Sequence, residues 1–260
     1  MWAWIGGSRP RTEPPEGSRG VLKHRFYHPP PLEPGQSLIL GRERAHYLTR
    51  VLRLRRGEDI ECFDGQGRAV RATLADAGPR SATLRLGEVL AAAPPPAPDL
   101  HLVQGLLKGA SMDLVVQKAT ELGATDIHPL RAERSNVPQD AERLARKHEH
   151  WLRVIESAAE QCGALHLPRL HPVRSLEDYL AAPPAARSIL LHPGEPVLPT
   201  TLPREHLALL IGPEGGWSDA ERSAAAAAGA VSHGLGSRIL RGETAPLAAL
   251  AALRHGWGWI

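Results

Sequence analysis

The residues whose types and spacing point to chemistry lie near the C-terminal end. There, two glycine turns follow one another: Gly212-Pro213-Glu214-Gly215-Gly216, and Gly236 some twenty residues on. Glycine lets a backbone approach a ligand closely and present its own donors and acceptors. The apolar run His206 to Ile211 before the first turn is long enough for one buried strand, and Val231 to Leu235 before the second reads as another. In open α/β sheets, ligands bind beyond the carboxyl ends of the strands, so neighbouring turns of this kind suggest a ligand site. Two ordinary turns would be spelled in the same letters. A phosphate-binding G-x-x-x-x-G-K-[ST] loop is missing, and no strand leads into G-x-G-x-x-G, so nucleotide phosphates and dinucleotides are not indicated.

These turns need elements to hold them. Ser218 and Glu221 form an S-x-x-E capping box, which predicts a helix start, and Gly229 is its natural stop. Thr244 is placed to cap a final helix, with Pro246 in the first turn where no amide donor is missed. Upstream, Leu100 to Leu107 reads as a strand and Lys108-Gly109 as a turn. A helix follows, with Met112, Val115, Val116, Ala119 and Leu122 at helical spacing, stopped by Gly123, and Asp126 to Leu130 is the next strand. Strand, helix and strand with short links are the grammar of a parallel sheet. A long helix is expected from about Ala141 to Cys162, with Leu144, His148, Trp151, Leu152, Ile155, Ala159 and Cys162 on one face, where Trp151 is a packing residue. Ser188 to Leu191 is a further buried strand ending at His192-Pro193-Gly194-Glu195.

The N-terminal part reads differently. Arg25 to Tyr27, Ser37 to Leu40, Glu58 to Phe63, Ala69 to Leu74 and Ser81 to Val89 are strand candidates, with a hairpin turn at Asp64-Gly65-Gln66-Gly67. A short helix fits Glu43 to Leu52, with Ala45, Leu48, Val51 and Leu52 inward. That helix and the loop after it carry Arg42, Arg44, Arg50, Arg53, Arg55 and Arg56, with His46 and Tyr47 among them. Arginines interleaved with groups that stack make an RNA surface; the plainer alternative is a solvated helix face. The segment Ala91 to Pro98 (AAAPPPAP) reads as a stiff linker. The expected division is therefore a flexible extension over 1–20, a β-rich RNA-binding unit over 21–90, a Pro-rich linker over 91–98 and an α/β unit over 99–260.

The chain has 260 residues, enough for two modest cores, and a net charge of +3. Arginine dominates the basic residues, which a high-GC genome explains as readily as an anionic partner. Two cysteines, Cys62 and Cys162, lie far apart without C-x-x-C spacing, so neither a disulfide framework nor a zinc site is expected, and a reducing cytoplasm fits. No apolar run approaches the roughly 20 residues that span a bilayer, so no membrane partner is expected.

Taken whole, IGPEGGWSDAE followed by LGSRILRGETAPLAAL resembles the C-terminal signature of the RsmE family of SPOUT-class methyltransferases. HYLTRVLRLRRGEDIECFDGQGR, KGASMDLVVQKATELGATDIHPLRAERS and the segment around Trp151 to Gln161 resemble that family in the same order. Lys108, Lys118, Glu121, Arg134, Ser135, Glu160 and Gln161 fall on matching positions. The resemblance implies a SPOUT-type parallel sheet tied in a deep trefoil knot, a PUA-like N-terminal barrel that docks RNA, and a homodimer. It implies S-adenosylmethionine held by the loop after Leu191 and by the two glycine turns, and methylation of uridine N3 in small-subunit (16S) ribosomal RNA, bare or in the assembled subunit. Leu191, Ile211, Leu235, Ile239 and Leu240 would wall that site, and His192, Gly212, Pro213, Glu214, Gly215, Gly216 and Gly236 would supply its loops. Two departures stand out: Gly242 where the family has threonine, and Cys162-Gly163-Ala164 where it has an arginine shortly after Glu160-Gln161.

Methyl transfer from a sulfonium is an in-line displacement that rests on alignment and needs no metal. Uridine N3 must lose its proton, so a cation near the uracil carbonyls would help; Arg241 is the first candidate and Arg134 the second. Glu243 and Glu214 are the candidate proton acceptors, each with a structural alternative at a turn or a helix start. Two other functions fit the same letters: a SPOUT enzyme acting on a ribose 2′-oxygen or a purine nitrogen, and a non-catalytic RNA-binding assembly factor.

Overall fold

Two sheets, each with its own apolar core, divide the chain. The computed structural model describes residues 22, 24–135, 140–184, 187–199 and 201–259; the extension expected over 1–20 lies outside them.

The first sheet contains β1 (Arg25–Tyr27), β2 (Ser37–Leu40), β3 (Asp59–Phe63), β4 (Arg68–Ala77) and β5 (Ala82–Ala92), in the order β1-β3-β4-β5-β2. Alternation sends Leu38, Ile60, Val70, Leu74, Leu84 and Leu86 to one core. β5 continues to Ala92, past the expected start of the linker, because it stays paired with the long β4. The expected helix over Glu43 to Leu52 is in place but changes pitch. It begins as α1 (Arg42–His46) and continues as a π-helical turn over Tyr47–Val51, where the Leu52 amide donates to the Tyr47 carbonyl at 3.0 Å. The wider turn breaks the inward spacing: Leu48 is buried, whereas Val51 is 59% exposed.

The second sheet is parallel throughout. Its elements are β6 (Leu100–Gly105), α2 (Ala110–Glu121), β7 (Asp126–Arg131), α3 (Ala141–Cys162), β8 (Arg169–Leu170), β9 (Arg174–Ser175), α4 (Leu176–Leu180), β10 (Arg187–Leu191), β11 (Leu207–Ile211), α5 (Asp219–Ala227), β12 (Val231–His233) and α6 (Thr244–Gly256). The order is β12-β10-β11-β6-β7-β8, with β9 also paired to β7. β6 and β11 are buried along their whole lengths. Along β11, Leu209 and Ile211 join the core beneath α2, α3 and α6, while Ala208 and Leu210 join the core beneath α4 and α5.

Several expectations shift. On α3, Trp151, Ile155 and Ala159 are buried as expected, but Leu152 and Cys162 are exposed and Ala158 is buried instead, so the packed stripe is narrower and rotated. The N-cap of α6 is Glu243, whose side chain makes no capping bond, and Thr244 is the first helical residue. β8, β9 and α4 had no periodic signal; two-residue strands and a five-residue helix are too short to show one.

Candidate active site

The parallel order places the carboxyl ends of β10, β11 and β12 side by side, so their following loops converge. They enclose an open cleft of about 790 Å³. Leu191, Ile211, Leu235 and Leu240 form apolar walls; His192, Pro213, Glu214 and the backbone of Gly212, Gly215, Gly216 and Gly236 form the loops. Arg134, Arg241 and Glu243 stand at the same cleft. Ile239 also lines it but is 83% exposed, so it forms a rim and not a wall. Ser111, Trp217 and Arg238 belong to the lining as well and went unread; Ser111 comes from a helix start distant in sequence, and the other two sit inside motifs already assigned to glycines and leucines.

Local chemistry fixes the loops. The Ser218 hydroxyl accepts from the Glu221 amide at 3.2 Å and one Glu221 oxygen accepts from the Ser218 amide at 2.8 Å, which starts α5 directly after the first glycine turn. The second Glu221 oxygen accepts from the Glu133 amide at 2.8 Å, tying the loop after β7 to that helix start. The next residue, Arg134, donates through Nη1 to the Gly215 carbonyl at 3.3 Å. A side chain at Gly215 would bring its Cβ within 2.8 Å of the Arg134 Cβ, so only glycine allows this approach. Gly236 has φ of 101°, the left-handed region, with free space where a Cβ would point.

The two candidate carboxylates differ. Glu214 Oε1 accepts from the Lys108 amide at 2.9 Å, joining the glycine turn to the loop after β6. The side chains of Glu243, Arg241 and Arg238 make no hydrogen bond or ion pair with the described residues, and all three face the cleft. At Gly242 a Cβ would lie 2.8 Å from Leu107 Cδ2, so the buried Leu107 fills the space that a threonine there would need. Where the family has an arginine beyond Glu160-Gln161, Gly163 ends α3 in the left-handed region and the Ala164 carbonyl accepts from Arg25.

The arginines of the first sheet divide. Arg42 and Arg50, with His46 and Thr49, line a second open hollow of about 840 Å³ against Ala77, Gly78 and Pro79. Arg53, Arg55 and Arg56 are exposed in the following loop. Arg44 is turned the other way: it donates to the Tyr27 carbonyl, pairs with Glu156 at 3.4 Å and lies over the Phe26 ring. Its guanidinium is thus engaged with Tyr27 and Glu156, while its side chain remains 37% exposed.

A polar cluster away from the cleft was also unread. His101, His128 and Asp126 are buried at the parallel pair β6 and β7, with ligand atoms within 4.8 Å of one another. Their hydrogen bonds are already made. Arg174 donates to His128 Nδ1 at 3.1 Å, so His128 Nε2 carries the proton toward His101 Nδ1 at 3.0 Å. Asp126 accepts from His171 at 2.8 Å and pairs with Arg169 at 3.0 Å. Burial, then His171, pushes His128 down to about 3. Burial alone would raise the Asp126 carboxyl, but the His171 and Arg169 hydrogen bonds outweigh it and hold it below the usual range.

Comparison with known proteins places this geometry. Residues 94–254 match the RNA methyltransferase domain family, and residues 40–87 match the RNA methyltransferase PUA domain. Ribosomal RNA small subunit methyltransferase E from Synechocystis sp. is 34% identical, over 90% of this chain and 78% of its own length. The chain belongs to this methyltransferase family. The enzyme of the same name from Bacillus subtilis is 28% identical, over 86% of this chain and 92% of its own. The Neisseria gonorrhoeae methyltransferase E, solved bound to S-adenosyl methionine, superposes with a TM-score of 0.81 at 32% identity, covering 89% of this chain and 97% of that one. A Legionella pneumophila methyltransferase, solved with the same cofactor, gives 0.84 at 35%, covering 90% and 98%. The present chain is an RNA methyltransferase, with an α/β parallel sheet, a PUA domain and S-adenosylmethionine as methyl donor. Its cleft fits that donor: the volume suits a nucleoside-sized ligand, the walls are apolar, and the glycine turns leave backbone groups uncovered.

Proposed function

We propose that this methyltransferase modifies N3 of one uridine in small-subunit (16S) ribosomal RNA. The observation that carries the reading is a cofactor-sized cleft at which Arg241 and Glu243 stand without a hydrogen-bond or ion-pair partner among the described residues. Bound at the glycine turns, S-adenosylmethionine supplies an electrophilic methyl group. Leu191, His192, Ile211, Leu235, Gly236 and Leu240, with residues 212–216, hold it; Ile239 closes the rim. Arg241 stabilises negative charge on the uracil carbonyls, assisted by Arg134, and Glu243 takes the N3 proton. Glu214 is the weaker base because its carboxylate already serves the Lys108 amide.

Arg42, Arg50, Arg53, Arg55 and Arg56 hold RNA phosphates on the PUA domain. A PUA-like barrel over 21–90, a linker over 91–98 and a SPOUT domain over 99–260 complete the proposal; two separate apolar cores support the division, with β5 reaching Ala92 inside the linker. The non-sequential strand order β12-β10-β11-β6-β7-β8 supports the deep trefoil knot of this proposal. A homodimer covers the edge strand β12 and the exposed Val197, Val231 and Ile239. Two free cysteines and an RNA substrate are consistent with work in the cytoplasm.

The test is to incubate the protein with S-adenosylmethionine and small-subunit RNA, free or assembled, and map the methylated atom. A methyl group on uridine N3 supports the reading. A methyl group on a ribose 2′-oxygen or a purine nitrogen replaces it with another acceptor. RNA binding without any methylation leaves an assembly factor.

A further inference from the structure

The arginine-bearing helical segment is not free to choose its own angle. Its other side is joined to α3 of the methyltransferase domain through two carboxylates, of which Glu160 makes the shorter contacts. Glu160 Oε2 accepts from the Tyr47 hydroxyl at 2.8 Å, and Oε1 accepts from the Tyr27 amide at 2.9 Å. Arg44, from the same segment as Tyr47, reaches Glu156 one turn earlier on α3. Arg25 completes the seam: it donates to the Ala159 carbonyl at 2.7 Å and the Ala164 carbonyl at 3.1 Å, capping the C-terminal end of α3 with positive charge. Tyr47 opens the π-helical turn whose far side carries Arg50. Burial pushes both the Glu160 and the Glu156 carboxyls up, and burial with the Glu160 contact pushes the Tyr47 hydroxyl up to about 12. A second seam lies nearby, where Gly67 donates to the Leu165 carbonyl at 3.0 Å and Leu167 to the Gly65 carbonyl at 2.9 Å. That backbone seam holds the hairpin of the PUA domain.

We propose that Glu160 is a positioning residue for RNA. By clasping Tyr47 and Tyr27, it sets the angle at which Arg42 and Arg50 present themselves relative to the cofactor cleft. The inference rests on the arginine surface being the RNA-docking surface. Glu160 makes no contact with the cleft, so its removal should not alter cofactor binding. The carboxylate links two domains across a partly desolvated seam, where a lost acceptor leaves the Tyr47 hydroxyl and the Tyr27 amide without a partner. With the clasp gone, the segment keeps the part-exposed Arg44–Glu156 pair at 3.4 Å, a weaker tie, so the arginine surface shifts relative to the cleft and RNA gripped at one is displaced at the other.

The experiment measures S-adenosylmethionine affinity by calorimetry, and KM for RNA and kcat by methyl incorporation, in five proteins: the native chain, Glu160→Ala, Glu160→Gln, the double variant Arg42→Ala with Arg50→Ala, and the triple combination with Glu160→Ala. The expectation for Glu160→Ala is a KM for RNA raised roughly tenfold, the scale of one charged acceptor, with cofactor affinity and kcat unchanged. Glu160→Gln, which keeps an acceptor oxygen, should recover most of that loss. The triple variant should lose less than the product of its parts, because the positioning acts through the arginines. An unchanged KM in Glu160→Ala, alongside a raised KM in the arginine variant, overturns the inference and spares the docking surface. A normal KM in the arginine variant removes the docking surface and the inference with it. An equal loss of cofactor affinity in Glu160→Ala marks general disruption and also overturns it.

Discussion

Glu214 and Glu243 sit at one cleft with opposite commitments, and substitution should separate them. Glu243→Gln is expected to lower kcat by about a hundredfold, the scale of general-base catalysis, with S-adenosylmethionine affinity unchanged by calorimetry. Glu214→Gln keeps an oxygen for the Lys108 amide and should leave kcat within a few-fold of native, whereas Glu214→Ala should lower thermal stability and cofactor affinity together. Gly215→Val, whose Cβ would press on the Arg134 Cβ at 2.8 Å, should abolish the calorimetric signal for the cofactor while the far-ultraviolet circular dichroism stays native. Much of this site was legible because glycine turns after apolar runs carry their own geometry. The division of labour between the carboxylates was not: it depends on the Lys108 amide, more than a hundred residues away. The Arg44 contacts with Tyr27 and Glu156 were illegible for a similar reason, since the spacing of arginines along a helix does not say which side another helix covers.

Elements were most readable where a cap and a period agreed. α3 covers the Ala141 to Cys162 that its apolar period indicated; the structure adds Asp140, whose side chain accepts from the Glu142 amide, at its start and a left-handed Gly163 at its end. The Ser218–Glu221 box is equally plain, and Ser218→Ala should destabilise the protein by about 1 kcal/mol, read as a lower urea midpoint at unchanged slope. The helix over Arg42 to Val51 was readable in extent but not in pitch, since a π turn leaves no mark in apolar spacing. β8 and β9 exist because β7 offers them an edge; with two residues each, they carry no alternation of their own.

At the scale of the whole molecule, the buried histidine cluster governs behaviour in acid. His128 is held at about 3 in the fold against an ordinary 6.5, so over that interval the unfolded chain binds the extra proton. Stability is therefore intact above the ordinary histidine range and is lost as pH falls through it; Asp126, held low, adds to the loss below its ordinary 3.8. The urea midpoint should fall steeply between about pH 6.5 and pH 4, and His128→Leu should flatten that slope whatever its stability at neutral pH. The α/β class and its two-part organisation were legible from the alternation of strand and helix signals. The strand order was not, because nothing local says that β11 returns to lie beside β6.

That return has a consequence in time. β6 spans Leu100–Gly105 and its partner β11 spans Leu207–Ile211, so their pairing waits for the whole intervening chain, and β12 comes later still. Pairings between such distant segments form slowly, because loop closure must precede any gain from contact. The β3–β4–β5 meander, joined by short turns, has no such delay. A nascent chain emerging from the ribosome would thus possess an assembled RNA-docking domain well before it could hold a methyl donor. Pulse-labelled hydrogen exchange during refolding should show that order, with the amides of β4 protected first and those of β11 last.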